Sequence, residues 1–237
     1  MLLNLNQIVV SPGRQLLLQN ISWEEFENIL DELGEKRAAR VSYSKGLLEI
    51  MTPLPEHEFS KEIIGDLVKA LLDELSIDFW PLGSVTLKKK SMSEGVEPDE
   101  CYYINNEATV RGRSKLDFET DPPPDLAIEI DLTSRTAFDN YEILGVPEFW
   151  KYNGHKLQIN ILRQGKYVES QTSCIFPQID VFNLFPCLLS LSKTEGRAKA
   201  MQQLKALVRE INLEAWNKNF KGLDMDFSWR DTRKNLR

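Results

Sequence analysis

The sequence predicts an α/β fold, a mixed sheet core flanked by helices and followed by a C-terminal helical appendix. Three observations carry this. Apolar residues switch between a period of two and a period near 3.6 along the 237 residues. One long stretch, 56–75, places Phe59, Ile63, Leu67, Leu71 and Leu75 four residues apart, with Ile64, Val68 and Leu72 beside them, the apolar stripe of a core-facing helix. Two strand-like segments, 98–104 and 124–131, are apolar on one face and acidic on the other.

The bulk properties set limits. A hydrophobic content of 42% supports a substantial core, and 27% charged residues is ordinary for a soluble domain. A net charge of −7 argues against a basic coat for nucleic acid but leaves room for a local basic cleft. Cys101, Cys174 and Cys187 are too few and too scattered for a disulfide framework or a zinc knuckle, and read as small residues in a reducing compartment. The N-terminus lacks a signal-peptide pattern, and no apolar run approaches the ~20 residues of a membrane span. The expectation is a cytoplasmic protein with no membrane contact.

In chain order, a short strand is expected at 15–18. Ser22 and Glu25 have capping-box spacing and open a helix running to 33. Segments 40–43 and 47–51 flank Ser44-Lys45-Gly46, a hairpin. Pro53 and Pro55 then break the chain before the helix at 56–75, whose first turns carry His57, Glu58, Lys61 and Glu62. These are either a solvated helix start, with glutamates favoured by the dipole, or groups reaching into a site. Strands are expected at 77–81 and 85–90, the latter ending in Lys88-Lys89-Lys90, which is either a solvated edge or a phosphate contact. Between the two acidic strands lie Arg111, Arg113 and Lys115, loop charge or a contact to a nucleic-acid backbone. A helix is expected at 135–144, stopped by Gly145, then strands at 148–152, 157–162 and 167–170, the last two joined by Arg163-Gln164-Gly165-Lys166. The sheet domain ends near 189, giving a domain at 1–190. Residues 191–237 form an appendix, helical in pattern over 194–217, with a basic tail at 227–237.

The acidic strands are the candidate site. In 124–131, Leu126, Ile128 and Ile130 share one face while Asp125, Ala127, Glu129 and Asp131 share the other. Burying unpaired carboxylates is costly, and a divalent cation is one of the few partners able to offset several together. Asp99, Glu129 and Asp131 are therefore candidate ligands of a metal that supports phosphodiester hydrolysis. Asp131 has a second reading, a cap on the Thr133-Ser134 turn. No glycine-rich phosphate loop accompanies them, which argues against a hydrolase of small nucleotides.

Pro98-Asp99, followed by Glu129-Ile130-Asp131, resembles the PD-(D/E)XK nuclease signature. Five segments in order extend the likeness: Gly46-Leu47-Leu48-Glu49-Ile50-Met51-Thr52-Pro53, His57-Glu58, Glu97-Pro98-Asp99-Glu100-Cys101-Tyr102-Tyr103, Pro123-Pro124-Asp125-Leu126-Ala127-Ile128-Glu129 and Gly145-Val146-Pro147-Glu148-Phe149-Trp150. Over roughly 15–190 the chain resembles the Uma-type restriction endonuclease family of that superfamily. The resemblance implies a restriction-endonuclease-like core and Mg²⁺- or Mn²⁺-dependent endonuclease cleavage of DNA. Asp99, Glu129, Asp131 and the Ile130 carbonyl would be metal ligands, and His57 and Glu58 possible auxiliaries. Lys89, Lys90, Arg111 and Arg113 would contact DNA, and a homodimer would cut both strands. The departure is at 131, where the superfamily carries a lysine and this chain an aspartate; Lys61 or Lys88 is then the candidate to supply that cation. The competing expectation is a catalytically silent module binding nucleic acid or protein.

Overall fold

The computed structural model describes residues 8–34, 39–131 and 138–220. Eleven strands and six helices occur among them, and the strands form two sheets. The first sheet starts with β1 (Gln15–Leu18) and the hairpin β2 (Arg40–Ser44) and β3 (Leu47–Met51). The hairpin loop is Lys45-Gly46, with φ of 46° and 92°, a two-residue turn that needs positive φ at both positions. Two further strands, β5 (Leu87–Lys89) and β6 (Glu94–Val96), complete it in the order β1-β3-β2-β6-β5, all antiparallel.

Sequence periodicity gives no sign of β6. Its Glu-Gly-Val has no alternation, yet the strand is internal to the sheet because Gly95 lets the Phe26 ring lie against the backbone: a Cβ there would sit 2.8 Å from the ring. Phe26 belongs to α1 (Trp23–Leu33), opened by the expected capping box: Glu25 N–H donates to Ser22 Oγ, and Ser22 N–H to Glu25 Oε2. Phe26 and Leu30 cover one face of this sheet, packed on Val41, Tyr43, Leu48 and Ile50. The alternate residues Arg40, Ser42 and Glu49 therefore face the other way.

The second sheet has the order β11-β10-β9-β8-β7-β4. Its strands are β4 (Trp80–Pro81), β7 (Glu100–Tyr103), β8 (Leu126–Ile130), β9 (Glu148–Tyr152), β10 (Leu157–Arg163) and β11 (Lys166–Ser170). All neighbours are antiparallel except β8 and β9. The strand expected at 77–81 shrinks to two residues at the sheet edge, where Pro81 has no N–H to give a ladder. The turn at Gln164-Gly165 is as expected, with φ of 52° and 77°.

The outer face of this sheet carries the main core. Leu126, Ile128 and Ile130 pack with Trp150, Tyr152 and the stripe of α2 (Pro55–Glu74). That stripe differs from expectation at its start. Phe59 is 38% exposed, while His57 and Ser60 are buried instead, because the first turn of α2 leans toward Asp99. Residues 181–193, to which periodicity assigns no element, join the first two residues of the expected helical stretch 194–217 in α5 (Val181–Glu195), with Pro186 inside it, so the helix runs through residue 190. The next helix, α6 (Arg197–Phe220), sets Ala200, Met201, Leu204 and Val208 into the same core.

The short helix α3 (Glu107–Val110) follows β7, and α4 (Phe138–Leu144) links β8 to the parallel β9, ending at Gly145 with φ of 80°. Tyr141 and Leu144 of α4 join Leu87, Val96, Cys101, Ala127, Val146 and Phe149 in a second core between the sheets. Asn140 ties α4 to the first sheet, donating to Ser42 Oγ at 3.1 Å and to the Tyr43 carbonyl at 3.3 Å. The helix start expected at 135–137, the Thr133-Ser134 turn and the tail at 227–237 lie outside the described residues.

Candidate active site

The acidic side chains meet between the sheets. Strand β7 pairs with β8 so that Cys101 opposes Ala127 and Glu100 opposes Ile128, which sets Asp99, one residue before β7, beside Glu129. The Asp99 N–H donates to the Ile128 carbonyl at 3.0 Å, and Asp99 Oδ2 accepts the Ile130 N–H at 2.8 Å. Asp99 and Glu129 thus share the inner face, opposite one another across the β7–β8 pairing, and each carboxyl feels the other's charge. Both are buried, at 1% and 7% exposure. They line a cavity of about 30 Å³ together with Arg40, Ser42, Glu49, Met51 and Glu97, so the first sheet supplies the opposite wall.

The partners of the two carboxyls differ. Asp99 has cationic neighbours: His57 Nε2 lies 3.2 Å from Oδ2 and Arg40 Nε 3.6 Å from Oδ1. Neither His57 ring nitrogen makes a well-aligned hydrogen bond, so this contact is mainly electrostatic. Burial alone would raise the Asp99 pKa, but His57, the Ile130 N–H and Arg40 outweigh it and hold the carboxyl below its usual range. Glu129 accepts from the Tyr141 hydroxyl and faces Asp99. Burial, and then the Asp99 charge, push its pKa well above the usual glutamate value, against the pull of Tyr141. The two carboxyls therefore titrate as one coupled unit, with a shared proton favoured on Glu129. Burial would also lower the His57 pKa; Asp99 and then Glu58 outweigh it and raise the imidazole above its ordinary value.

Two other buried acids, Asp125 and Glu148, are structural. Asp125 accepts from Ile104 N–H, Asn106 N–H and Asn106 Nδ2, and Glu148 from Trp150 Nε1, Cys174 N–H and Ile175 N–H. Saturated carboxylates of this kind hold loops; the Asp99–Glu129 pair has no such complement of backbone donors.

The remaining expected residues divide by position. Glu58 joins the cluster, 3.4 Å from His57 Nδ1 and 4.0 Å from Arg40 Nη2, and Lys61 reaches Glu58 at 3.5 Å and Glu62 at 3.8 Å. Asp131 turns to an ion pair with Lys151. Lys88 lies on β5 of the other sheet and pairs with Glu27 at 3.0 Å. Lys89 ends the same strand, and Lys90 is exposed in the 3-10 turn after it. Arg111 pairs with Glu107 and Asp78, and Arg113 with Asp121. No trio of His, Cys, Asp and Glu side chains is disposed to hold a metal among the described residues.

Sequence reasoning missed Arg40, Tyr141, Lys151 and the cavity wall at Glu49, whose pKa burial and then Asp131 raise. Lys151 had a legible signal: a lysine inside Glu-Phe-Trp-Lys-Tyr is as anomalous as Glu129 inside Leu-Ala-Ile-Glu-Ile. Arg40 and Tyr141 had none, since nothing local says which side chains will meet from other elements.

Fold and site together define a two-sheet α/β protein with a buried carboxyl pair between the sheets, beside the only parallel strand junction among the described residues. A family model for Uma2, described as a putative restriction endonuclease, matches residues 23–194, and the chain belongs to that family. A solved structure, a putative nuclease belonging to DUF820 from Anabaena variabilis ATCC 29413, is similar at 12% identity over 63% of this chain and 85% of that one, with a TM-score of 0.46. No curated protein matches. No helix among the described residues is long and apolar enough to cross a membrane.

Proposed function

We propose that this protein is a metal-dependent endonuclease that hydrolyses phosphodiester bonds of DNA. The observation that carries the proposal is the Asp99–Glu129 pair: two carboxyls adjacent across the β7–β8 pairing, buried, on one face of a sheet, at a cavity of about 30 Å³. Two carboxylates this close cannot both ionise in a low dielectric unless a cation joins them. The donor set is all oxygen, which suits a hard divalent ion such as Mg²⁺ or Mn²⁺, and Mg²⁺ asks for only one or two protein carboxylates. Asp99, Glu129 and the Ile130 carbonyl would hold it, with Asp131 next along the same strand face. When bound, such an ion polarises the scissile phosphate and activates water.

The protein's own groups do the rest. The Ile130 N–H fixes Asp99 through Oδ2, leaving Oδ1 to turn toward the cavity and Arg40. Tyr141 fixes Glu129 in the same way. Arg40, facing Asp99 from the opposite wall, and His57 on α2 hold positive charge where a phosphate would enter. Lys89 at the end of β5 and Lys90 in the turn after it are candidate DNA backbone contacts, and a duplex cut on both strands calls for two copies of the chain.

The competing reading is a silent binding module. It is favoured by the cations already on Asp99 and by the lack of a third carboxylate ligand among the described residues. Plasmid nicking in Mg²⁺ and in Mn²⁺, with wild type beside Glu129→Ala, tests both. Nicking by the wild type alone is expected. Equal nicking by both removes the site, and silence of both, with no heat of metal binding in titration calorimetry, leaves the module.

A further inference from the structure

We infer that Lys151 supplies the positive charge that meets the scissile phosphate on the Glu129 side of the cavity, delivered from the neighbouring strand. This rests on the nuclease reading above and names a residue that reading does not include.

Phosphodiester hydrolysis gathers negative charge on the phosphoryl oxygens as water bonds to phosphorus and the bond to the leaving alkoxide breaks. The water's proton goes to solvent and the leaving oxygen takes one up from solvent. A fixed ammonium keeps its own proton throughout and contributes only charge, which counts most where water is scarce. The charged residues on the inner face of β8 and just past its end are acids alone, Glu129 and Asp131, so a cation must come from elsewhere.

The parallel register supplies one. Glu129 pairs with Lys151 and Ile128 with Trp150. Ile128, Ile130, Trp150 and Tyr152 all lie in the outer core, so the alternate residues, Glu129 and Lys151, stand side by side on the inner face. Lys151 is 17% exposed and holds Asp131, itself 6% exposed, in an ion pair. It therefore stands beside Glu129, outside the residues that line the cavity, yet keeps a path to solvent, and its four-carbon stem allows the ammonium to swing toward the site.

The two lysines expected for this role start from other elements, α2 and β5, and not from the strand beside Glu129. Lys61 serves Glu58 and Glu62 on its own helix, and Lys88 serves Glu27 of α1. Arg40 faces Asp99 from the first sheet and covers the opposite side of the pair. The alternative account of Lys151, that it only neutralises Asp131, makes a different prediction, because removing both charges would then restore the site.

The test is steady-state plasmid nicking by wild type, Lys151→Met, Asp131→Asn, the double variant and the exchanged pair Asp131→Lys/Lys151→Asp. Mn²⁺ titration calorimetry and thermal melting accompany each. Lys151→Met is expected to lower kcat about a hundredfold with KM little changed. The double variant stays as slow while melting cooperatively, and the exchanged pair recovers at least about tenfold over Lys151→Met. Mn²⁺ binding to Lys151→Met is expected to match or exceed wild type, since a repelling cation has gone. Recovery of wild-type kcat in the double variant overturns the inference, as does loss of Mn²⁺ binding in Lys151→Met. If wild type and Lys151→Met cleave equally, this inference alone falls; if wild type does not cleave at all, the nuclease reading falls with it.

Discussion

Replacing Glu129 by glutamine separates the protonated pair from a metal site. The amide of Glu129→Gln keeps an oxygen for the Tyr141 hydroxyl and offers Asp99 an N–H, so it mimics the protonated acid without being able to lose a proton. An acid whose pKa is raised on folding holds its proton in the folded chain where the unfolded chain has released it. Its contribution to stability therefore falls as pH climbs above the ordinary glutamate value, 4.5, and stops falling only at the raised value. For one proton the slope is about 1.4 kcal/mol per pH unit. His57, raised, loses stability over the range above 6.5, and Asp99, lowered, loses it as pH falls below 3.8, but both titrate in either protein and largely cancel in the difference. Urea unfolding in EDTA should thus show Glu129→Gln gaining on wild type by up to about 1.4 kcal/mol for each pH unit above 4.5. Mg²⁺ at a hundred times its dissociation constant should then add about 2.7 kcal/mol to wild type and nothing to the variant. Parallel pH curves for the two proteins, or equal stabilisation by Mg²⁺, would refute the shared-proton account.

Three further outcomes test the surroundings of the pair. Tyr141→Phe removes the donor to Glu129 but keeps the ring stacked 4.4 Å from Phe149, so a loss of about 1–3 kcal/mol in urea unfolding is expected, with cooperative melting intact. Gly95→Ala puts a methyl 2.8 Å from the buried Phe26 ring, itself stacked 4.5 Å from Tyr43, and should cost about 1–3 kcal/mol; an unchanged urea midpoint would show that α1 shifts freely. Asn140→Ala takes the fully buried amide that joins α4 to β2 and should cost about 1–3 kcal/mol, visible as earlier hydrogen exchange of α4 amides; protection equal to wild type would mean that Tyr141 and Leu144 suffice.

Wherever a signal was local, the sequence carried it. The capping box at Ser22 and Glu25, the stripe of α2, the hairpins at Lys45-Gly46 and Gln164-Gly165, and the acidic face of β8 all depend on side chains a few positions apart. Apart from the exposed Phe59 at the start of α2, all stand where the pattern puts them. Asp99 and Glu129 were legible because a carboxylate among buried aliphatics demands a partner, whatever that partner is. Partners far along the chain were not legible. Arg40, Tyr141 and Lys151 reach the acids from β2, α4 and β9, and only the packing of the two sheets and the parallel β8–β9 register bring them in. The same reason explains β6 and α5: a Glu-Gly-Val triplet and a proline-bearing segment have no periodic preference of their own, and become strand and helix because Phe26 and the main core accept them. Sequence set which groups must be satisfied; tertiary contact chose what satisfies them.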